Sequence, residues 1–478
     1  MTTTNQEKRN NMYNRENTSE SLVRVSKVCV VGAGYVGLTA AVCLAELGHT
    51  VVCVESNPQR LATLLSGGVP IHEPGIDELL QRHAGSGRLS FTDDVEVAMD
   101  EVAVVVLCVG TPPRPDGEPD LRQLGRAAAE VVAAARGDVL LIVKSTVPPG
   151  SCEALELLAA GHAREGVNVA VASNPEFLRE GQAVWDFFNP DRVVVGIDDP
   201  QMEHLVTGLY PAQWPLVVCD RRSAELVKYA ANTFLAVKIS FANEVAQLCE
   251  ALGADSQKVL AGVGLDARIG GAFLSPGPGF GGSCLPKDLG GFIAVAQSVG
   301  QHAPLARAAR VVNQEALVGL LGKLEVALGS LQGKRIAILG LAFKPGTGDV
   351  RFSPGVGLGE ALAERGALVR AHDPIAAPAT TAMELVGDPY AAAQRADALV
   401  IMTAWPEYRE LDHERLRATM TGHVVIDAVN VVSIGDVAHV DYDVYGVGRG
   451  LTTDFAPVLW PPLEWMLDAE PRHVAVNQ

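Results

Sequence analysis

The chain has 478 residues, room for about three ordinary domains, and its 48% apolar against 20% charged content excludes a wholly disordered polymer. A formal charge of −18 argues against nucleic acid or an anionic membrane as the main partner, and requires local cations wherever an anionic ligand binds. Eight cysteines without a CxxC pair argue against a disulfide scaffold or structural metal, leaving reduced thiols and a cytoplasmic location as the expectation.

Residues 1–25 are polar with no apolar h-region and read as a loose tail rather than a signal peptide. An apolar strand at 27–31 runs into Gly32-Ala33-Gly34-Tyr35-Val36-Gly37 and an alanine-rich helix ending near Gly48; a second strand ends at Glu55. Further apolar strands at 102–109, 139–143 and 168–172 alternate with helical stretches such as 121–136, the rhythm of a doubly wound α/β sheet. These runs are too short to cross a bilayer, which takes about 20 apolar residues. From Ser223 to Leu252 there is neither glycine nor proline, and Gly253 supplies a stop. One helix of that length spans about 45 Å, so it is expected to connect two lobes and pack against a partner subunit. A Gly/Pro-rich stretch at 275–282, a short helix and a helical region to about 330 follow. A second α/β unit opens at Lys334, with a strand at 335–343, a helix from about 355 and strands at 368–374, 398–403 and 424–427. It lacks the G-x-G-x-x-G pattern, which points to a different ligand.

The expected architecture is α/β: two doubly wound Rossmann-like domains joined by a long central helix. Its divisions are a tail (1–25), a first Rossmann-like domain (26–215), a central helical and dimerisation region with the cysteine loop (216–325), a second Rossmann-like domain (326–450) and a tail (451–478).

A lone G-x-G-x-x-G is weak evidence, but here it follows a strand, opens a helix and is succeeded by an acid at the next strand end. Gly32 permits the tight turn, Gly34 lets backbone approach a pyrophosphate, and Gly37 lets helix and strand pack closely. Glu55 suits ribose hydroxyls and repels a 2′-phosphate, favouring NAD over NADP, although Arg60 is a residue type that accepts such a phosphate. In GFGGSCLPKD (279–288) the glycines allow close approach to a ligand, and Ser283 followed by Pro286 marks a helix start. A thiol in that first turn, Cys284, feels the positive end of the helix dipole, which favours thiolate. Cys29, Cys43, Cys53, Cys108, Cys152, Cys219 and Cys249 read instead as inert core residues. A hydride acceptor beside a nucleophilic thiol implies oxidation of an alcohol or aldehyde to a carboxylate through a thiohemiacetal and a thioester. Lys228, Asn232 and Asn243 share one face of an otherwise apolar helix and need partners, either a ligand oxygen or groups within the protein. Asn174-Pro175-Glu176-Phe177-Leu178-Arg179-Glu180 places two carboxylates a turn apart at a strand end, where α/β sites assemble, although surface glutamates are commoner than catalytic ones.

Together GAGYVGL (32–38), CVGTP (108–112), KSTVPPG (144–150), NPEFLREG (174–181), GFGGSCLPKD (279–288) and GLAFKPGTGDVR (340–351) resemble the nucleotide-sugar 6-dehydrogenases, the UDP-glucose/GDP-mannose dehydrogenase family. The resemblance runs over about residues 26–450. It implies two successive oxidations at C6 of a nucleotide sugar, UDP-glucose to UDP-glucuronate foremost, with two NAD and one water. Cys284 then matches the thiol nucleophile, and Lys228 and Asn232 the pair that stabilises oxyanion character. Asp288 with Thr146 matches the groups holding a catalytic water, Glu176 the base for thioester hydrolysis, and Glu180 a residue organising the same site. NAD contacts are implied for Gly32, Tyr35, Val36, Glu55, Arg60, Thr111, Thr146, Glu180 and Arg351. The sugar-nucleotide pocket is implied for Phe177, Leu178 and Arg179, with Asn243, Phe273, Leu274, Ser275, Gly281, Phe343 and Lys344. Arg268 is implied to reach across from the neighbouring subunit of a homodimer or higher homo-oligomer. Lys344, Arg268 and Arg351 are the local cations that the acidic total demands. The stretches 230–232 and 267–274 favour UDP-glucose; dTDP-glucose, GDP-mannose or an N-acetylated UDP sugar share the chemistry, and the alternatives from other classes are a catalytically silent binder and a two-electron hydroxy-acid dehydrogenase, which would need no Cys284. Val429, Ala404 and Phe352 depart from residues common in relatives.

Overall fold

A computed structural model describes residues 26–114 and 117–449. The two expected tails, including Trp460 and Trp465, lie outside the described residues. The chain divides into two compact units, one formed by residues up to Thr111 together with Leu121–Leu226, the other by Pro112–Asp120 with the chain from Val227 onward.

The first unit holds an eight-stranded sheet in the order β3-β2-β1-β4-β5-β6-β7-β8. Its strands are β1 (Lys27–Val31), β2 (Thr50–Val54), β3 (Leu89–Thr92), β4 (Val104–Leu107), β5 (Val139–Val143), β6 (Val169–Ser173), β7 (Val193–Gly196) and β8 (Leu216–Cys219). Neighbours run parallel except β6 and β7, which meet antiparallel at Ser173 and Gly196. The first six strands follow the dinucleotide-fold order, with its switch point between β1 and β4. Strands β4 and β5 are buried at every position because helices cover both faces, which is why they read as unbroken apolar runs. Alternate residues of β1 feed two cores: Val28 and Val30 join one, Cys29 and Val31 the other.

The second unit repeats the plan with six parallel strands in the order β11-β10-β9-β12-β13-β14. They are β9 (Arg335–Leu339), β10 (Leu368–His372), β11 (Glu384–Leu385), β12 (Ala398–Ile401), β13 (Val424–Asp427) and β14 (Asp443–Gly446). The strand expected at 335–343 stops at Leu339, because Gly340 turns at φ +102° with Thr403 packed against its Cα. At the end of β10, Asp373 stands where Glu55 stands at the end of β2. Its Oδ2 accepts from the amides of Leu341 and Ala342 and from the Trp405 indole, and its Oδ1 from the amides of Ile375 and Ala376. Val429, one of the expected departures, packs against this unit's apolar core.

The long helix is one element, Arg221–Leu252, of 32 residues. Its first turn is rooted in the first unit, where Arg221 pairs with Asp198 (2.6 Å) and Glu156 (2.9 Å). Glu225 there accepts from the amides of Gly150 (2.6 Å) and Cys152 (2.8 Å), the start of helix Ser151–Ala160. Among the described residues no helix is long and apolar enough to cross a membrane.

Candidate active site

The site residues expected from sequence divide between the two units. In the first, β1 leads through Gly32 (φ +97°) into helix Tyr35–Glu46. A Cβ on Gly37 would lie 1.7 Å from the Gly32 carbonyl oxygen, so only glycine lets the helix pass this close to the turn. Gly34 is the N-cap; no side chain caps the helix, no acid sits in its first turn, and a Cβ at Gly34 would meet nothing within 4 Å. An uncapped helix start facing open space fits the pyrophosphate of a dinucleotide. Glu55, 3% exposed, accepts from the amides of Ala33 (3.0 Å) and Asn57 (2.7 Å). Arg60 Nη1 lies 2.9 Å from Glu55 Oε2. The guanidinium thus pairs with a buried acid at the end of β2, a position that suits ribose hydroxyls such as those of NAD.

Thr111 Oγ1 donates to the Thr146 carbonyl (3.0 Å), tying together the loops that follow β4 and β5. The segment after β6 is held along its length. Asn174 Oδ1 accepts from buried Lys144 (3.0 Å) and from the Tyr210 hydroxyl (2.5 Å). Glu176, 9% exposed, takes the Leu178 amide (2.5 Å), and the Phe177 ring lies 3.6 Å from the Arg192 guanidinium. Arg179 pairs with Asp186 (2.6 Å), which holds the guanidinium above its ordinary pKa. Beyond Glu180, the Gly181 amide donates to both Tyr35 Oη (2.7 Å) and Glu73 Oε2 (2.6 Å).

In the second unit Cys284 is the N-cap of helix Leu285–Ser298, with Pro286 in its first turn. It is exposed, whereas the other seven cysteines are buried or half-buried. Burial pushes the thiols of Cys29 and Cys108 up to about 12 and raises those of Cys43, Cys53, Cys152, Cys219 and Cys249. Asp288, 1% exposed, donates its amide to the Cys284 carbonyl (2.8 Å). Its carboxylate accepts from Asn232 Nδ2 (2.6 Å) and from Lys287. Lys228, Asn232 and Asn243 are all buried on the long helix, at 4%, 7% and 3% exposure. Asn243 Oδ1 takes the Gly277 amide (2.8 Å), while its buried Nδ2 has no partner, a donor waiting for an acceptor.

The glycines before Cys284 make room for another segment of the protein itself. A Cβ on Gly281 would lie 2.3 Å from the Phe352 carbonyl oxygen, and one on Gly282 2.7 Å from the Phe343 ring. The Gly282 amide donates to the Arg351 carbonyl (2.9 Å). The close approach is thus to the loop after β9, which brings Gly281, Phe343 and Arg351 together with the thiol's turn. Asn313, which sequence reasoning missed, completes the support by accepting from the Phe280 amide (2.6 Å) and donating to its carbonyl (3.1 Å). Lys344 Nζ stands 5.6 Å from the Phe343 ring centre. Leu274 is buried, Ser275 exposed, and Phe273 takes φ +65°, a conformation few bulky residues adopt. Arg268 and Arg351 each grip the carboxylate two residues back, Asp266 (2.7 Å) and Asp349 (2.6 Å). The Arg268 side chain is exposed. Among the described residues there is no cluster of three or more His, Cys, Asp or Glu that could hold a metal ion.

Known proteins resemble this chain along most of its length. The sequence fits the UDP-glucose/GDP-mannose dehydrogenase family in its NAD binding domain at residues 26–214, its central domain at 222–315 and its UDP binding domain at 337–434. It is 42% identical over 435 residues to a UDP-glucose 6-dehydrogenase of Rhizobium meliloti, covering 88% of this chain and 99% of that protein. The structure resembles a UDP-glucose dehydrogenase from Pyrobaculum islandicum (TM-score 0.82, 43% identity, 87% of this chain and 96% of the other). It also resembles a UDP-D-ManNAc dehydrogenase from Pyrococcus horikoshii (TM-score 0.79, 31% identity, 89% and 99%). With all three family domains matched in order along the chain and relatives at 42% and 43% identity over most of its length, the chain belongs to the UDP-glucose/GDP-mannose dehydrogenase family.

Proposed function

We propose that the chain oxidises UDP-glucose at C6 to UDP-glucuronate, in two two-electron steps, through a covalent adduct on Cys284. The observation that carries this is the exposed Cys284 at a helix N-cap, one turn from buried Asp288. A two-electron alcohol dehydrogenase has no use for that thiol. Bound NAD supplies the hydride acceptor, once for each oxidation.

In the first step the C6 hydroxyl loses its proton by way of a water held by Asp288 and Thr146, and the carbon is left as an aldehyde. Lys228 and one Nδ2 hydrogen of Asn232, the other being given to Asp288, stabilise negative charge on the C6 oxygen. The Cys284 thiolate then adds to the aldehyde carbon, forming the C–S bond of a thiohemiacetal. Loss of the second hydride turns that adduct into a thioester. Glu176 takes a proton from water as it attacks the thioester carbonyl, the C–S bond breaks, and carboxylate and thiolate are released.

The sugar nucleotide is held by Phe177–Arg179, Asn243, Leu274, Ser275 and Lys344. Glu180 and Arg351 join the Gly32 turn in holding coenzyme. Arg268 acts across a homodimer. The long helix supports that assembly, because Phe234, Phe241 and Leu248, seven residues apart, are 64%, 50% and 57% exposed along it. Buried reduced thiols fit a cytoplasmic location.

Counting NADH at 340 nm against a panel of UDP-, dTDP- and GDP-sugars tests the reading. Two NADH per UDP-glucose are expected, with Cys284→Ser stopping short of the acid. One NADH per sugar, or acid formation by the serine variant, refutes the covalent route.

A further inference from the structure

Glu73 lies between helices Pro58–Leu65 and Ile76–Ala84, in a segment with no regular structure of its own. Pro74 follows it and restricts its backbone to extended conformations, and its carbonyl accepts from the Ile76 amide (3.3 Å). The side chain is 5% exposed. One carboxylate oxygen takes the Gly181 amide (2.6 Å), the other the Ala183 amide (2.7 Å), both more than 100 residues away. Gly181 sits at φ +79°, and its amide is shared with the hydroxyl of Tyr35, which is in the first turn of the dinucleotide helix.

A buried acid is a poor device for stability alone, since apolar residues of the same volume usually serve as well or better. It is a good device for fixing two amides, because charge-assisted hydrogen bonds are short and directional. The segment from Asn174 to Ala183 is held at its start by Lys144 and Tyr210 through Asn174, and at its end by Glu73. Glu180 lies next to the end that Glu73 holds. We infer that Glu73 is a positioning residue for coenzyme: it locks Gly181 against Tyr35 and so sets Glu180 and the dinucleotide turn in one fixed relation. The inference rests on the reading, made above, that Tyr35 and Glu180 contact NAD. Because the sugar-contacting end of the segment has its own anchor in Asn174, Glu73 acts on coenzyme rather than on sugar nucleotide.

The test is calorimetry of the full chain with NAD and, separately, with UDP, neither of which needs turnover. Glu73→Gln keeps one acceptor and turns an amide donor towards the other N–H. It is expected to weaken NAD about tenfold, the factor carried by about 1.4 kcal/mol, while UDP binding stays within about twofold. Glu73→Ala should weaken NAD further. In the wild type, hydrogen exchange should show the peptide over 178–185 protected before any NAD is added. That measurement decides the matter if a variant fails to fold. A folded Glu73→Gln with wild-type NAD affinity, an equal loss for UDP and NAD, or free exchange at Gly181 and Ala183 overturns the inference. If the wild type binds NAD but forms no NADH from UDP-glucose, the proposed function falls and the binding comparison still decides the role of Glu73.

Discussion

Replacing Gly282 by alanine tests whether the thiol's turn is built as described. Gly282 takes φ +80°, and an added Cβ would approach three atoms of the Phe343 ring at 2.7, 2.8 and 2.9 Å. The left-handed backbone costs an L-residue about 1–2 kcal/mol. Overpacking adds about 1–3 kcal/mol, towards the lower end here because the ring is half-buried and can swing aside. A loss of about 2–3 kcal/mol lowers the melting temperature of a domain this size by roughly 4–12 °C. Calorimetric unfolding of the full chain reads the shift, and the alkylation rate of Cys284 reports whether the turn has moved. The double variant Gly282→Ala/Phe343→Ala removes the clash and keeps the backbone strain. Its loss should therefore be smaller than the sum of the two single losses by roughly the overpacking share. If Gly282→Ala melts like the wild type, neither the positive φ nor the contact with Phe343 is real, and the account of the turn fails.

Lys228→Ala should lower kcat about 100-fold, the scale of a lost oxyanion donor, with sugar-nucleotide binding retained; near-normal turnover would remove Lys228 from the chemistry. Glu55→Gln removes the charge facing the ribose, so the ratio of NAD to NADP efficiency should fall at least tenfold or so, measured by initial rates with each coenzyme; an unchanged ratio contradicts the role given to Glu55. Burial holds His49 and His372 below the ordinary imidazole pKa of 6.5. The unfolded chain therefore binds more protons below that value, and stability should fall as pH drops through it. Glu225 and Asp427, whose carboxyl pKa values burial raises above 4.5 and 3.8, act in the opposite sense at lower pH, binding protons more readily when folded. Melting curves at pH 7.5 and 5.5 check the histidine effect: His49→Gln should flatten the slope, and a slope unchanged by it would assign the loss elsewhere.

Local pattern carried much of the fold. Strand β1, the glycine turn and Glu55 are contiguous in sequence, and each needs only its neighbours to take its conformation. The long helix is equally plain, since 32 residues pass without a glycine or proline. Strands β3, β7, β8, β11 and β14 were not legible. They are two to four residues each, and β8, although apolar in sequence, is exposed along most of its length rather than a core strand. The supports of the site were hidden for another reason. Glu73 meets Gly181 across 108 residues and Phe280 meets Asn313 across 33, and no short-range pattern announces such a partner. The glycines of the cysteine turn were visible, but what they make room for, the Phe343 ring and the Phe352 carbonyl, belongs to the second sheet's first loop. For Glu73, an acid followed by proline in an apolar stretch was the available signal.

Asp373 has a consequence for how the reaction is paced. Five N–H groups of its own unit already converge on its two oxygens, about as many as a carboxylate has lone pairs to offer. That leaves little of the Asp373 carboxylate for a ribose, and the duplicated sheet also lacks the G-x-G-x-x-G turn of the first. On the proposed route, removing four electrons through the turn at Gly32 obliges the protein to change coenzymes halfway, and a bond to Cys284 would keep the half-finished sugar from drifting off during the exchange.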